Sequence, residues 1–212
     1  MASSPAAGGG RWVTVPPERL ARWRAGFAER HGDVETTIGP DRVLLQAADG
    51  ATADCEVPFP PLTGDLVEHA LRPRRVGVLL VRLGGYAAGV FEGSTLVASK
   101  VGSRQVHGRS AAGGQSQQRF ARRRVGQVRV ALGAAADNVV RVLLPELERL
   151  DAVVLGGDRT AVDEVLTDRR LAGLVPLVSG RLLDVPDPRL KVLQSTPELF
   201  RAVRIRLVEP TD

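Results

Sequence analysis

The sequence predicts a mixed α/β fold, in which strands both precede and follow the helices. The chain has 212 residues, a length that suits one domain with a small appendage, and 43% of them are apolar, enough to bury a core. Residues 76–83 form a nearly continuous apolar run, typical of a strand buried on both faces. Apolar residues then recur three or four positions apart between 120 and 143, which predicts a long helix. We therefore expect a mixed β-sheet with flanking helices.

The N-terminal third is expected to form a tail and a small module. Residues 1–10 are predicted to be a flexible tail, and residues 11–72 a module with a helix and a hairpin. Asp49-Gly50, placed between two alternating segments, is a hairpin-turn signal. The helix has a proline at its start, apolar residues three and four apart, and a glycine at its end: Pro17, Leu20, Trp23, Phe27 and Gly32.

Residues 73–212 are expected to form the main α/β domain. Residues 76–83, 86–91 and 95–101 predict a three-stranded meander, which a long loop rich in Gly and Ser then follows. After the long helix, the pattern predicts further strands and helices up to a half-exposed final strand. These further strands are expected at residues 152–155, 174–178 and 203–208.

The charged residues are unevenly distributed along the chain. The net charge is +5, but residues 93–136 contain no Asp or Glu and hold eight cations, so the remaining residues carry −3. A concentrated basic segment in a mildly acidic chain predicts a polyanionic partner, most often nucleic acid. The alternative interpretation is a helix face on which the arginines are only solvated.

Several classes of function lack the residues that they need. Cys55 is the single cysteine, and the three histidines, His31, His69 and His107, are far apart, so we expect neither a disulfide framework nor a metal or cofactor. The sequence contains no GxxxxGK[ST] phosphate loop and no GxSxG nucleophile elbow. No apolar run approaches a membrane span, and the N-terminus lacks the apolar core of a secretory signal. We therefore expect a cytoplasmic protein with no membrane partner.

A short motif in the basic segment carries the functional prediction. HGR at 107–109 is followed by GGQ at 113–115 and by SQQRFARRR at 116–124. A lone GGQ is weak evidence, but its placement on a glycine-rich loop directly before an arginine-rich helix is more specific.

These residues resemble the central, catalytic domain of the eukaryotic and archaeal class-1 translation release factors. In that family the loop reads HGRGGQS and continues into a helix with an RFARxR pattern; residues 110–112 are an insertion here. Within this length we expect neither a stop-codon-reading domain nor a further C-terminal domain. The combination is similar to the Vms-type release factor family, in particular its short actinobacterial members. The resemblance implies the ribonuclease-H-like fold of the release factor's middle domain.

The resemblance also implies a metal-independent peptidyl-tRNA hydrolase that acts on stalled ribosomal complexes, in ribosome rescue and quality control. Its catalytic residues would be Gln115, Gly114 and Gly113, because glycines permit a close backbone approach and a glutamine can orient water or stabilise an oxyanion. Residues expected to contact RNA are Arg104, His107, Arg109, Ser116, Arg119, Arg122, Arg123 and Arg124. The partners would be the rRNA of the large ribosomal subunit and peptidyl-tRNA, not DNA, and we expect a monomer.

Two other interpretations stay open at the level of sequence. A tRNA-cleaving nuclease would cut the RNA and leave a damaged 3′ end, because related folds cut nucleic acids. A non-catalytic ribosome- or RNA-binding module would bind without releasing peptide, although modules of that kind lack GGQ. The stalled complex that is recognised, the role of residues 1–72 and a methylation of Gln115 are not determined by the sequence.

Overall fold

A computed structural model of the chain describes residues 3–82, 85–103 and 115–210, with the backbone alone at residues 115–125. The chain divides into two compact units, Met1–Pro73 with Pro197–Asp212, and Arg74–Thr196. None of the helices in the described ranges combines the length and the apolar character required to cross a bilayer.

Within the described residues the chain forms ten strands, six α-helices and two 3₁₀ segments. In chain order these are β1 (Ser3–Pro5), β2 (Arg11–Val15), α1 (Pro17–His31), β3 (Val34–Ile38), β4 (Arg42–Ala47), β5 (Thr52–Glu56), α2 (Leu66–Leu71), β6 (Arg75–Arg82), β7 (Gly85–Glu92), β8 (Thr95–Ser103), α3 (Gln115–Val142), a 3₁₀ segment (Leu144–Arg149), β9 (Ala152–Gly157), α4 (Arg159–Leu166), a second 3₁₀ segment (Arg169–Leu177), α5 (Leu190–Ser195), α6 (Pro197–Phe200) and β10 (Val203–Val208).

The first unit is a six-stranded antiparallel sheet in the order β1-β2-β10-β5-β4-β3. Alternate residues of its strands are buried, as expected for a sheet with one covered face. They pack against Leu20 and Phe27 of α1, both fully buried. The predicted helix and the predicted hairpin are both confirmed: α1 ends at Gly32 (φ 83°), and Gly50 (φ 91°) lies in the turn between β4 and β5.

Two expectations about the first unit differ from the structure. The composition of residues 1–10 predicts a tail, yet Ser3–Pro5 pairs with β2, and Arg206 donates hydrogen bonds to the carbonyls of Gly8 and Gly9. The sequence interpretation places residues 73–212 in one domain, whereas β10 lies between β2 and β5 in the first unit. An alternating pattern predicts a strand but does not say which sheet it joins.

The second unit is a mixed sheet in the order β8-β7-β6-β9, which confirms the predicted mixed α/β class. β6, β7 and β8 form the predicted antiparallel meander, and β9 pairs with β6 in parallel. Helix α3 covers one face, where Ala135, Val139 and Leu143 pack against a cluster that includes Leu79 and Val90. β6 is buried on both faces, as its continuous apolar run predicts.

The strand predicted at residues 174–178 is wrong. Residues 174–177 belong to the second 3₁₀ segment, and Val178 alone makes an isolated bridge, with Val153. Pro176 explains the difference, because a proline has no N–H to donate to a strand ladder. Asp168 caps the segment by accepting a hydrogen bond from the backbone N–H of Arg170 at 3.0 Å.

Candidate functional site

The predicted site residues lie on α3 and on the segment that leads into it. Gln115 is the first residue of α3, and Ser116, Arg119 and Arg122–Arg124 follow it within the first three turns. Another group of predicted residues lies outside the described ranges: Arg104, His107, Arg109, Gly113 and Gly114. The structure therefore brings the described part of the predicted site together on one helix.

Helix α3 is anchored by its C-terminal half. It has 28 residues and is about 42 Å long at 1.5 Å per residue. Ala135 and Val139 are at most 1% exposed, whereas Val130, nearer the start, is 53% exposed. The helix therefore extends from its buried C-terminal half towards Gln115, the last residue of the GGQ motif.

The helical register divides the predicted arginines into two groups. At about 3.6 residues per turn, positions 119 and 123 align with Gly126, Val130 and Gly133, all of which are exposed, and position 122 lies beside them. Position 124 instead aligns with Val128 and Ala135, on the side of α3 that faces the sheet. By helical periodicity, positions 119, 122 and 123 thus share the side of α3 on which Gly126, Val130 and Gly133 are exposed.

The described surface near this helix is cationic. Lys100 on β8 and Arg129 on α3 are exposed, and neither forms an ion pair with another described residue. Both belong to the basic segment, but the sequence does not single them out as site residues. The absence of acidic residues from 93 to 136 is the sequence feature that could have identified them. They place exposed positive charge on β8, an edge strand of the second sheet, and on α3.

The first acidic residue after the basic segment is already paired. Asp137 accepts from Nη2 of Arg170 at 2.9 Å, and the same Nη2 lies 2.7 Å from Oδ2 of Asp168. Hydrogen bonds from the side chain and backbone of Arg170 lower the pKa of Asp168 to about 2. Arg170 thus bridges Asp137 and Asp168, and Asp137 lies 22 residues, about 33 Å along α3, from Gln115.

The other groups with catalytic potential are used in structural contacts. Nδ1 of His31 lies 2.8 Å from Oδ2 of Asp49, and His69 is buried with Nε2 2.9 Å from the carbonyl of Pro58. Burial raises the pKa of the Cys55 thiol to about 12, so it is a poor nucleophile. The described residues contain no group of three or more His, Cys, Asp or Glu that could hold a metal.

Comparison with known proteins gives one family and several solved structures. The family model described as Actinobacteria/chloroflexi VLRF1 release factor matches residues 74–206. The crystal structure of an archaeal translation termination factor, aRF1, is similar over 86% of this chain and 61% of its own, with 16% identity and a TM-score of 0.43. A second structure, described as an archaeal protein, is similar over 74% of this chain and 51% of its own, with 15% identity and a TM-score of 0.42.

The chain thus spans about three fifths and one half of the length of these two solved proteins. A search of curated proteins gives no match.

Proposed function

Because the chain belongs to the Actinobacteria/chloroflexi VLRF1 release factor family, we propose that it hydrolyses the ester between nascent peptide and tRNA on stalled ribosomal complexes. The observation that carries this proposal is the extent of the family match. Residues 74–206 include the GGQ motif at 113–115 and the whole of α3. Membership of a release factor family establishes a role related to release; the reaction and its site residues are our proposal.

The proposed reaction is a hydrolysis with water as the nucleophile. The water oxygen attacks the ester carbonyl, a tetrahedral oxyanion forms, and the bond from the carbonyl carbon to the ribose oxygen breaks. The proton that leaves the water ends on that ribose oxygen. The products are a peptide with a free carboxylic acid, which loses its proton to solvent at pH 7, and a tRNA with an intact 3′ end.

Gln115 is proposed to orient the water and stabilise the oxyanion. As the first residue of α3, it has a backbone N–H without an acceptor inside the helix, and the start of a helix carries partial positive charge. Either this N–H or the side-chain amide is a suitable donor to a developing oxyanion. Gly113 and Gly114 would let this backbone approach the ester within a narrow RNA cavity.

Such a site requires no base from the protein. His31 and His69 both lie in the first unit, and His107, which lies outside the described residues, is proposed to contact RNA. Hydroxyl groups of the RNA partners are chemically able to carry the proton. This is consistent with the neutral character of a glutamine, which cannot itself accept a proton at pH 7.

Binding to rRNA and tRNA is proposed to depend on the basic segment. Arg119, Arg122 and Arg123 occupy solvent-side positions of α3, and the exposed Lys100 and Arg129 continue the positive surface. Contacts to phosphates position a protein on RNA without reading sequence. The arginines would therefore hold α3 in place while Gln115 acts at the ester.

The test is to incubate the protein with ribosome–nascent-chain complexes and to examine both the peptide and the tRNA. Hydrolysis gives free peptide and tRNA that can be charged again with an amino acid. A nuclease gives a tRNA body that has lost its 3′ end and a peptide still esterified to the 3′ fragment. A binding module gives neither product although it co-sediments with the complexes. A Gln115→Ala variant tests whether any release depends on the proposed residue.

A further inference from the structure

Tyr86 lies directly on the backbone of the strand that leads into the GGQ loop. It pairs with Gly102 across β7 and β8. A Cβ atom at position 102 would lie 2.5 Å from both Cε2 and Cζ of Tyr86 and 2.6 Å from its Oη. Contacts below 3.0 Å require something to move, and here the obstacle is a ring rather than the end of a flexible chain. The ring therefore depends on a glycine at this position.

The same ring faces the helix that leaves the loop. Tyr86 is half-buried and packs against the hydrophobic cluster that contains the C-terminal half of α3. Together with Val128, Ala131 and Leu132 of α3 it lines a narrow crevice between the sheet and the helix. Tyr86 is thus placed between the incoming stem of the loop, which ends at Ser103, and the outgoing stem, α3.

The position of this crevice gives the ring of Tyr86 leverage over Gln115. Val128 and Leu132 are 13 and 17 residues from Gln115, about 20 and 25 Å along α3. A change of about 5° in the tilt of α3 at Val128 and Leu132 would move Gln115 by about 2 Å at that distance. A displacement of about 1 Å can cost roughly 10²-fold in rate when reacting groups must be aligned.

We propose that Tyr86, seated on Gly102, is a positioning residue that fixes the angle between β8 and α3 and thereby the location of Gln115. The catalytic part of this proposal rests on the proposed function; its structural part does not. Tyr86 acts through α3 and does not touch the substrate.

The structural part is tested by a distance measurement between the two stems. Spin labels on Val97→Cys of β8 and Val130→Cys of α3 occupy residues that are 44% and 53% exposed. Cys55, the one native cysteine, is buried and, with its raised pKa, should stay unlabelled. The expected result is a broadened or shifted distance distribution in Tyr86→Ala and in Gly102→Ala, and an unchanged one in Tyr86→Phe, which retains the ring.

Gly133→Ala is the matched glycine control. Gly133 also lies on a stem of the loop, but a Cβ there would meet no atom within 4 Å, so this variant should leave the distribution unchanged. If Tyr86→Ala does not fold, Tyr86→Leu carries the same expectation. A distribution in the folded Tyr86 variant that matches the wild type overturns the proposal, whether or not the protein releases peptide.

The catalytic part is tested by release kinetics as a function of protein concentration. We expect Tyr86→Ala and Gly102→Ala each to lower the maximal rate by about tenfold or more, because Gln115 is misplaced, with little change in the half-saturating concentration. The double variant should be no slower than Tyr86→Ala, since the added methyl group has no ring to displace. Unchanged maximal rates, or losses that multiply in the double variant, would contradict the positioning role.

Discussion

Gln115 combines a neutral amide side chain with a position at the start of a long helix. Its amide is neutral and both donates and accepts, and its backbone opens a 28-residue helix whose other end is buried. From Ala135 back to Gly126, the part of α3 whose burial is described becomes more exposed towards the start of the helix. Substitution here should therefore separate catalysis from stability.

We expect Gln115→Ala to reduce peptide release by about 10²–10³, the usual loss when an oxyanion donor is removed. The free energy of unfolding should change by less than about 0.5 kcal/mol, and sedimentation with ribosomal complexes should be retained. Gln118→Ala, three residues further along the same helix, is the matched control and should keep full release. Full activity in Gln115→Ala would remove the chemical role from this residue.

The two glycines of the motif should affect rate more than binding. Gly113→Ala or Gly114→Ala is expected to slow release, because a side chain hinders the close approach of the backbone to the ester. Gly126→Ala is the control, since a Cβ there would meet no atom within 4 Å. Single-turnover release and ribosome binding are measured side by side. Turnover at the wild-type rate in both motif variants would exclude close backbone approach from the mechanism.

Asp168 should make a pH-dependent contribution to stability. Its pKa is lowered to about 2 by hydrogen bonds from Arg170, so its contribution is full above the unfolded value of about 3.9 and is lost as pH falls towards 2. The pair is partly exposed, so Asp168→Asn should cost less than about 1 kcal/mol at pH 7. Urea unfolding should show this difference narrowing below about pH 4. Asp163→Asn, at an exposed position of α4, is the control variant.

At the scale of elements, α3 consists of an anchored half and an extended basic half. Arginines near the start of a helix oppose its dipole, a conflict that an external polyanion relieves. The register also indicates that the four arginines are not equivalent, since position 124 aligns with the sheet-facing side.

Removal of the solvent-side arginines should weaken the salt dependence of binding. In Arg119→Gln, Arg122→Gln and Arg123→Gln, the loss of each phosphate contact should lower the log–log salt slope by about 0.7 to 0.9. The concentration needed for release should rise more than the maximal rate falls, because phosphate contacts position rather than react. Arg141→Gln, exposed on the same helix but in its anchored half, is the control. An unchanged slope in the triple variant would mean that these arginines are only solvated.

The elements could be predicted wherever one local pattern was strong. Three local patterns each specify their own structure: the apolar run of β6, the Asp49-Gly50 turn, and the apolar residues three or four apart in α3. The prediction for residues 174–178 is wrong because apolar content suggests a strand, while Pro176 and the cap at Asp168 favour a 3₁₀ turn. The motif on the loop is visible in sequence. The contact of Tyr86 with Gly102 is not, because it depends on the register between two strands.

At the scale of the whole molecule, the first unit is built from the two ends of the chain. β10 lies between β2 and β5, so a strand near the C-terminus completes a sheet that begins at Ser3. Sequence patterns indicate no partner for this strand, because its alternation suits any half-buried position. The first unit is therefore discontinuous along the chain, and its stability depends on residues that follow the second unit.

Ile205→Ala should therefore destabilise the first unit by about 2 to 5 kcal/mol, because Ile205 is fully buried in β10. Both tryptophans of the chain, Trp12 and Trp23, lie in this unit, so tryptophan fluorescence during urea unfolding reports on it selectively. Val208→Ala, in the same strand but half-buried, should cost markedly less. Equal losses of unfolding free energy in the two variants would contradict the claim that the buried residues of β10 stabilise the first unit.

The central claim is tested most directly by the state of the tRNA after reaction with stalled ribosome–nascent-chain complexes. We expect wild-type protein to free the peptide and to leave tRNA with an intact 3′ end that accepts an amino acid again. Gln115→Ala should leave the peptidyl-tRNA unreacted while still co-sedimenting with the complexes. Peptide that remains esterified to a 3′ fragment of a cleaved tRNA, or binding by the wild-type protein without release, would contradict the proposed hydrolysis.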